Sequence, residues 1–363
     1  MQNASIDKAH YMPSKLDDKT QDLISVLFSK DMRDEALSSF NLDLKRLPLG
    51  VPSKQQIQYG VSILSKIEDK IKGTTVVSDS FASLSSQFYT AIPHSFGRSR
   101  PPVISSQLEL QGRYDMCNIL LDMFTTNETV RNIEKKRNSE EKKRAPNPVD
   151  LHYDSLNADL SILGQNSSEF GVVREYFNKT KGYYSNAKLL DVWRVNRIGE
   201  SERFQSFDKL DDRRLLWHGT NIAVVAPILT SGLRIMPHSG GRVGAGIYLA
   251  SLHEKSAGYT SGYGSKYACM FLAEAALGSM HEVTRDGPHA SGLRKAPKGF
   301  DSVHAVGRVA PKKWIDINID GKQVKVGDEK TTKDSVKSSF SHDEFLVYNE
   351  AQVRIRYVLT VKF

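Results

Sequence analysis

Cysteine is scarce in this sequence: Cys117 and Cys269 are the only two among 363 residues. Two thiols cannot build a disulfide framework, and they suit a reducing compartment, the cytosol or the nucleus. Cysteines and histidines at zinc-ligand spacing are missing as well, so no finger is available to grip a DNA end and no metal is expected. Long apolar runs are absent. Nothing approaches the ~18 consecutive apolar residues of a membrane span, and the start MQNASIDKAHYMPS lacks the apolar core of a signal peptide. Both absences point to a soluble intracellular protein with no membrane partner. There is no GKS or GKT phosphate loop. Acidic residues are outnumbered, 42 against 50 Lys and Arg, leaving a net charge of +8. That balance, with a pI near 9.2, fits work near polyanions, but it speaks only to non-specific attraction and does not make a DNA reader.

What is present falls into two parts, and the length allows for it, since a single core usually stops growing near ~250–300 residues. Residues 16 to 125 carry helical periodicity. Leu23, Ile24, Leu27 and Phe28 form one apolar stripe, and Met32, Ala36, Leu37 and Phe40 another. Ser53 with Gln56 spells a capping box, after which Ile57, Val61, Leu64, Ile67 and Ile71 run to a stop at Gly73. Leu108, Cys117, Leu120, Leu121 and Phe124 mark a further long helix. These stripes predict an all-α helical bundle over residues 14–137 and nothing resembling a cofactor box. Between Arg131 and Pro148 the chain reads RNIEKKRNSEEKKRAPNP, and residues 138–148 are assigned as a charged linker. Its basic clusters are a solvated charge run or a nuclear import signal, which composition does not separate. From residue 149 to 363 short strands alternate with helices, predicting a mixed, largely antiparallel α+β domain. Phe170, Val172, Val173 and Phe177 predict a helix, and Val192 to Val195 a strand. Tyr267 to Leu277 is ambiguous between the two. In the last strand Val353, Ile355, Tyr357, Leu359, Val361 and Phe363 alternate with Arg354, Arg356 and Lys362.

The stretch from Leu215 to Tyr259 is where chemistry concentrates. A short buried strand, Arg214 to Trp217, delivers His218, Gly219 and Thr220, where His218 is placed to donate to a hydroxyl and Gly219 lets a ligand approach the backbone. Glycines at 240, 241, 244 and 246 allow a tight loop, and strand character returns at Ile247 to Ala250. These glycines precede strand-like residues where a dinucleotide fingerprint needs a helix N-terminus, so that reading fails. Ser251 to Glu254 reads as a capping box opening a helix, which puts Ser256 and Tyr259 on one face. One could bond a planar amide while the other stacks on it. Singly, each feature is an ordinary packing or turn device; jointly they make a site.

HGT, GAGIYLA and SAGY match, in order and spacing, the catalytic domain of the poly(ADP-ribose) polymerase family, and FSHDEFLVYNEAQVRIRYVL matches the segment with that family's glutamate. KLDDKTQDLISVLFS, LDLKRLPLGVPSKQQIQYGVSIL and FYTAIPHSFG resemble the helical regulatory domain that precedes catalysis in its DNA-dependent members. The resemblance covers nearly everything from Lys15 to Phe363 and makes Tyr267 to Leu277 a strand. It implies a transferase using NAD+ as substrate, attaching ADP-ribose to acceptor proteins including this chain itself, in the nucleus and also the cytoplasm. Single units are favoured over a polymer. It further implies that the sequence is a fragment cut just before Met12, because no tryptophan-glycine-arginine module precedes the helices; DNA breaks would be met through a module absent from this stretch.

By the same resemblance, Glu344 hydrogen-bonds the nicotinamide ribose and orients or deprotonates the acceptor. His218 holds the adenosine ribose, with Thr220 and Arg234 on that side. Tyr248 and Tyr259 form the two faces of the nicotinamide slot, Gly219 and Ser256 bond its carboxamide, and Lys255 lines the pocket facing the pyrophosphate or an acidic acceptor. Two positions depart from the family pattern: Ala245 stands where relatives often carry lysine, and Leu249 where many carry phenylalanine. Breaking the bond to nicotinamide develops oxocarbenium character, which a carboxylate near the sugar hydroxyls stabilises. Glu350 competes for that role. In an unbroken strand six residues at about 3.3 Å each separate the two carboxylates by roughly 20 Å, so both cannot serve one sugar. Glu344 opens the apolar run Phe345 to Tyr348, as the family motif requires, and is selected. An inactive module that only holds NAD or ADP-ribose, and a DNA-binding scaffold, are the competing readings.

Overall fold

The computed structural model describes residues 11–29, 42, 52–72, 76–97 and 99–106, parts of 109–121, and then 146–182, 186–235, 241–260, 268–333 and 335–362. The stripe from Met32 to Phe40, the stop at Gly73, Leu108, Phe124, Gly240, Tyr267, Phe363 and all but the end of the charged linker lie outside the described residues.

Helix α1 (Asp18–Leu27) starts where Asp17 accepts from the Thr20 N–H, and it buries Leu23, Ile24 and Leu27. Helix α2 (Lys54–Lys72) begins at the expected capping box. Ser53 Oγ accepts from the Gln56 N–H at 3.2 Å, and Gln56 Oε1 accepts from the Ser53 N–H at 2.8 Å. Helix α3 (Phe81–Ala91), capped by Ser80, packs Leu84 and Phe88 against Ile57, Leu64 and Ile67 of α2. Leu110, Tyr114, Cys117 and Leu120 complete that core.

Helix α1 does not join it. Leu23, Ile24 and Leu27 share a core with Leu156, Trp193, Leu216 and Phe271, and the Trp193 indole N–H donates to Thr20 Oγ1 at 2.9 Å. Helical spacing specifies that a face is buried, not which neighbour covers it. The expectation of one bundle is therefore corrected for the first helix, while a helical region followed by a mixed α+β domain stands.

Helix α4 (Pro148–Asp154) leads into strand β1 (Ala158–Ile162), followed by α5 (Ser168–Lys179), β2 (Lys188–Arg197), α6 (Glu200–Gln205), β3 (Arg213–Gly219) and α7 (Val225–Ser231). Then come β4 (Ile247–Ala250), α8 (His253–Ala257), β5 (Ala268–Ala276), β6 (Met280–Val283) and α9 (Pro288–Ser291). The chain closes with β7 (Ser302–Ala305), β8 (Gly307–Ile319), β9 (Lys322–Thr332), β10 (Phe340–His342), β11 (Glu344–Val347) and β12 (Val353–Lys362). The sheet order is β1-β2-β12-β5-β3-β4-β11-β7-β6, with β8, β9 and β10 attached through β9 to β3. All pairs are antiparallel except β3 with β9, β6 with β7 and β8 with β10.

Every residue of β5 is buried, because the sheet is covered on both faces. That is why its alternation was ambiguous in sequence; the strand assignment holds. The same covering breaks the alternation expected of β12. Lys362 is exposed, Arg354 half-buried, and Arg356 buried, with its Nε donating to Glu274 at 2.6 Å and Nη1 to Asp320 at 2.5 Å. Glu274 also takes Arg213 at 2.9 Å, so the buried carboxylate is fully compensated.

Candidate active site

Register gathers the site. Ala250, at the end of β4, lies opposite both Trp217 of β3 and Glu344 of β11. His218 and Gly219, the start of α8 and the start of β11 therefore meet at one end of adjacent strands.

His218 Nδ1 stands 3.1 Å from the Tyr248 carbonyl. A carbonyl only accepts, so Nδ1 carries the proton. Burial pulls the ring's pKa below its usual value, more than that carbonyl raises it, which keeps the imidazole neutral. Nε2 is then an acceptor. On the expectation that His218 meets a ligand hydroxyl, this tautomer offers Nε2 as an acceptor.

Gly219 is fixed by contact, since a Cβ there would fall 1.8 Å from the Ser256 carbonyl oxygen. The end of β3 and helix α8 touch backbone to backbone. In the glycine loop a left-handed conformation occurs at Gly244, with φ +91°. The loop is held by two phenols at Val243. Its N–H donates to the Tyr248 hydroxyl at 3.0 Å, which in turn donates to the Gly244 carbonyl at 2.8 Å. Its carbonyl accepts from the Tyr348 hydroxyl at 2.7 Å. Burial raises both phenol pKa values, so both remain protonated donors. Tyr348 was not singled out in sequence; its only signal was an aromatic closing the run that Glu344 opens.

The expected capping box at Ser251 does not form. Leu252 occupies the cap position, no side chain caps the helix, and the Ser251 hydroxyl is buried without a partner. The helix is five residues long and ends at Ala257, so Ser256 and Tyr259 do not share a helical face as expected. Ser256 is buried against Gly219, whereas Tyr259 sits in the following turn, 61% exposed, its N–H donating to the Ser256 carbonyl at 3.1 Å. Its ring remains near the site through Lys255, whose Nζ is 5.5 Å from the ring centre.

Glu344 is 8% exposed, and Lys255 Nζ lies 2.7 Å from its Oε1. Burial pushes the Lys255 ammonium down, but the Glu344 carboxylate more than offsets this and the net shift is upward. Lys255 is thus engaged with the carboxylate and does not stand free in the pocket. Thr220, half-buried, follows β3 directly. Next to it Asn221 Oδ1 accepts from the Ala223 N–H at 2.9 Å, and Ala223 is buried in the core of α2 and α3. Arg234 is exposed beyond α7, and the N–H of the next residue, Ile235, donates to Glu350 Oε1 at 2.8 Å. Glu350 heads a short turn before β12 and tethers that stretch. Of the two departures, Ala245 is buried with its N–H on the Leu293 carbonyl at 2.9 Å, and Leu249 is core. Among the described residues no cluster of His, Cys, Asp or Glu could hold a metal, and no helix is long and apolar enough to cross a membrane.

Residues 167–363 match the family described as poly(ADP-ribose) polymerase catalytic domain, and residues 14–153 its regulatory domain. The chain is 46% identical over 358 residues to protein mono-ADP-ribosyltransferase PARP3 of Mus musculus, covering 96% of this chain and 66% of that protein. Against the protein of the same name from Homo sapiens it is 44% identical over 356 residues, again covering 96% and 66%. Poly(ADP-ribose) polymerase 1 of Xenopus laevis is 34% identical over 358 residues, covering 96% of this chain and 35% of that one. The chain therefore spans about two thirds of the length of the mono-ADP-ribosyltransferases it matches. With both domains matched in order, and with the HGT, GAGIYLA and glutamate segments meeting at one end of the sheet, the chain belongs to the poly(ADP-ribose) polymerase family.

Proposed function

We propose that this chain is an NAD+-dependent ADP-ribosyltransferase that releases nicotinamide and attaches single ADP-ribose units to protein side chains, its own included. The observation that carries this reading is Glu344, a nearly buried carboxylate paired with Lys255 at the strand end beside His218, Gly219, Tyr248 and Ser256. In this mechanism the bond from the ribose C1′ to the nicotinamide nitrogen breaks, with the electron pair leaving on nicotinamide. The acceptor's nucleophile bonds C1′, and its proton passes to Glu344 or solvent. Glu344 hydrogen-bonds the nicotinamide ribose, and that bond strengthens as positive charge develops on the sugar. Neutral His218 accepts from the adenosine ribose, with Thr220 and Arg234 alongside. Tyr248 and Tyr259 flank the nicotinamide ring, Gly219 and Ser256 bond its amide, and Lys255 holds Glu344 in place. Single-unit transfer follows the printed name of the relatives from Mus musculus and Homo sapiens.

Domain limits of 14–137, 138–148 and 149–363 along the sequence belong to the same proposal, with α1 packed against the sheet, as do a nuclear setting shared with the cytoplasm and a link to DNA damage. Recognition of DNA breaks is assigned to a region other than these residues. The helical core restrains the transferase: Ala223, three residues beyond Thr220, is packed in that core, so its state bears directly on the loop holding His218.

The test is nicotinamide release and label transfer by purified protein. Benzamide should raise the melting temperature by mass action, and Ser256→Ala should shrink that rise. A folded protein that benzamide stabilises yet that releases no nicotinamide would be an inactive binding module. Equal benzamide shifts in wild type and Ser256→Ala would remove Ser256 from the site.

A further inference from the structure

The basic residues of the catalytic domain are disposed in two ways. On the hairpin of β8 and β9 the lysines are matched with acids: Lys312 with Glu329 at 3.2 Å, Lys313 with Asp328 at 3.2 Å, Lys322 with Asp208 at 3.4 Å, Lys325 with Asp212 at 3.0 Å, and Lys330 with Glu254. Residues 285–298, RDGPHASGLRKAPK, are different. Arg285, Arg294, Lys295 and Lys298 are exposed, and among the described residues none has a carboxylate partner. The one acid in the stretch, Asp286, is taken by Arg242 at 2.8 Å. Exposed Lys337 lies close by, since the Ser339 N–H donates to the Thr284 carbonyl at 2.9 Å. Clustered like charges repel one another, so an unmatched group of this kind leaves a standing attraction for an anionic partner.

Its position ties it to the site. The Leu293 carbonyl accepts the Ala245 N–H at 2.9 Å, and Gly244 packs so tightly on that carbonyl that a Cβ would fall 2.1 Å from it. Gly244 in turn receives the Tyr248 hydroxyl. The basic segment therefore touches the glycine loop at Leu293, with Arg294 directly after the contact residue.

We propose that residues 285–298 form a docking surface for acidic polypeptide segments and so select acceptor proteins, an inference that rests on the transferase reading above. The form of the segment favours a polypeptide over a nucleic acid. Single strands are held largely by stacking on aromatic rings, and duplexes by a helix or ribbon entering a groove. Residues 285–298 contain no Phe, Trp or Tyr and only a four-residue helical turn. The next such ring along the chain, Phe300, is engaged edge-on with His281 at 5.1 Å, and Tyr248 and Tyr348, which pack with Leu293, are only partly exposed and have their hydroxyls bonded to the glycine loop. What remains is a set of separated cations on an irregular loop, suited to the carboxylates of an extended chain.

The experiment uses the whole chain with Arg285→Gln, Lys295→Gln and Lys298→Gln combined; Arg294 is kept because it donates to the Ser291 and Leu293 carbonyls. Acceptors are a glutamate-rich peptide and a neutral peptide of equal length. The KM for the acidic peptide should rise about tenfold, the order expected for losing three exposed charge contacts, while kcat, the KM for NAD and acceptor-free nicotinamide release stay put. The neutral peptide should be unaffected, and the wild-type preference for the acidic one should fade as salt is raised. Lys295→Arg with Lys298→Arg should keep the preference. Binding of the dye-labelled acidic peptide, followed by anisotropy, reads the surface independently of turnover, so a wild type without nicotinamide release would strike the transferase reading and not this one. An unchanged KM and unchanged peptide affinity in the triple variant overturn the proposal. So does loss of affinity for a short DNA duplex with peptide binding intact, which would make the surface a nucleic-acid one.

Discussion

Helix α1 and the pair α2 and α3 carry apolar stripes of similar spacing, yet they bury them in different cores. Those of α2 and α3 close on each other around Ile57, Leu64 and Phe88, whereas Leu23, Ile24 and Leu27 of α1 complete the core beneath the sheet. The difference lies in polar contacts that no hydrophobic pattern reports. Thr20 accepts from the Trp193 indole, Lys19 pairs with Asp191 at 3.3 Å, and Ser14 bonds Asp150. Family limits therefore do not coincide with units of packing. The regulatory match runs from 14 to 153, but its first helix packs in the core of the matched catalytic domain.

The harshest way to break the comparison is to cut it apart. A chain starting at Pro146 loses α1 and bares Leu156, Trp193 and their neighbours, so it should aggregate or melt without a cooperative transition. A chain that keeps residues 11–29 and bridges to Pro146 with a flexible linker should fold and turn over NAD faster than the whole protein. Thermal scans and nicotinamide release check both. If the bridged chain folds but works more slowly, the α2 and α3 core supports catalysis instead of restraining it.

Single cavities sharpen the same contrast. Ile24→Ala and Leu84→Ala each remove a fully buried side chain, and each should cost about 2–5 kcal/mol by denaturant unfolding. Their effects on activity should diverge. Loosening the core that holds Ala223 should raise turnover in Leu84→Ala, while Ile24→Ala undermines the sheet domain and should lower it. Equal changes in rate would show that the two cores act as one.

Much of this was legible before any coordinates. The capping box at Ser53, the helix carrying Phe170 to Phe177, and the strands carrying His218, Tyr248 and Glu344 follow from local spacing, which local physics enforces. What was not legible depends on distant partners. Arg356 reads as a solvent-facing strand residue and is buried, because Glu274 arrives from β5 to neutralise it. Ser251 reads as a helix cap and is not one, because α8 starts only at His253, with Leu252 in the cap position. Tyr348 is an ordinary aromatic until Val243, more than a hundred residues earlier, is brought against its hydroxyl. Which nitrogen of His218 holds the proton was not legible either, since only the Tyr248 carbonyl against Nδ1 reveals it.

The two carboxylates FSHDEFLVYNEAQ offers differ as the two cores do, Glu344 being the one proposed for chemistry and Glu350 the one that tethers Ile235. Glu344→Gln keeps shape and removes charge, so transfer should fall by ~10²-fold or more with NAD affinity near normal. Glu350→Gln leaves an amide oxygen to accept from Ile235, so transfer should change little. Isothermal titration with NAD and a single-turnover assay separate the cases. Loss of transfer in a stable, NAD-binding Glu350→Gln protein, with Glu344→Gln active, would move the active site.

The mildest test uses a buried histidine in each core. His94, packed by Phe88 and Tyr89 beside α3, is held down to about 4, chiefly by burial. His253 in α8, stacked on Phe177 at 4.1 Å, is held down to about 3 for the same reason. In the unfolded chain both titrate near 6.5, so below that pH the unfolded state binds protons the folded state refuses. Stability is then fully present above pH 6.5 and declines as pH falls, by at most about 1.4 kcal/mol per unit for each ring. The decline from His94 should level off near pH 4, and that from His253 should persist to about pH 3. Replacing a ring with one that cannot titrate removes its share. His253→Phe should flatten the loss between pH 6.5 and 5 in the transition reporting the sheet domain, and His94→Phe in that of the α2 and α3 core. Denaturant melts at pH 7, 6 and 5 measure this directly. A pH dependence unchanged in both variants would mean that neither ring is held neutral, and that acid acts on the ion pairs of the sheet domain alone.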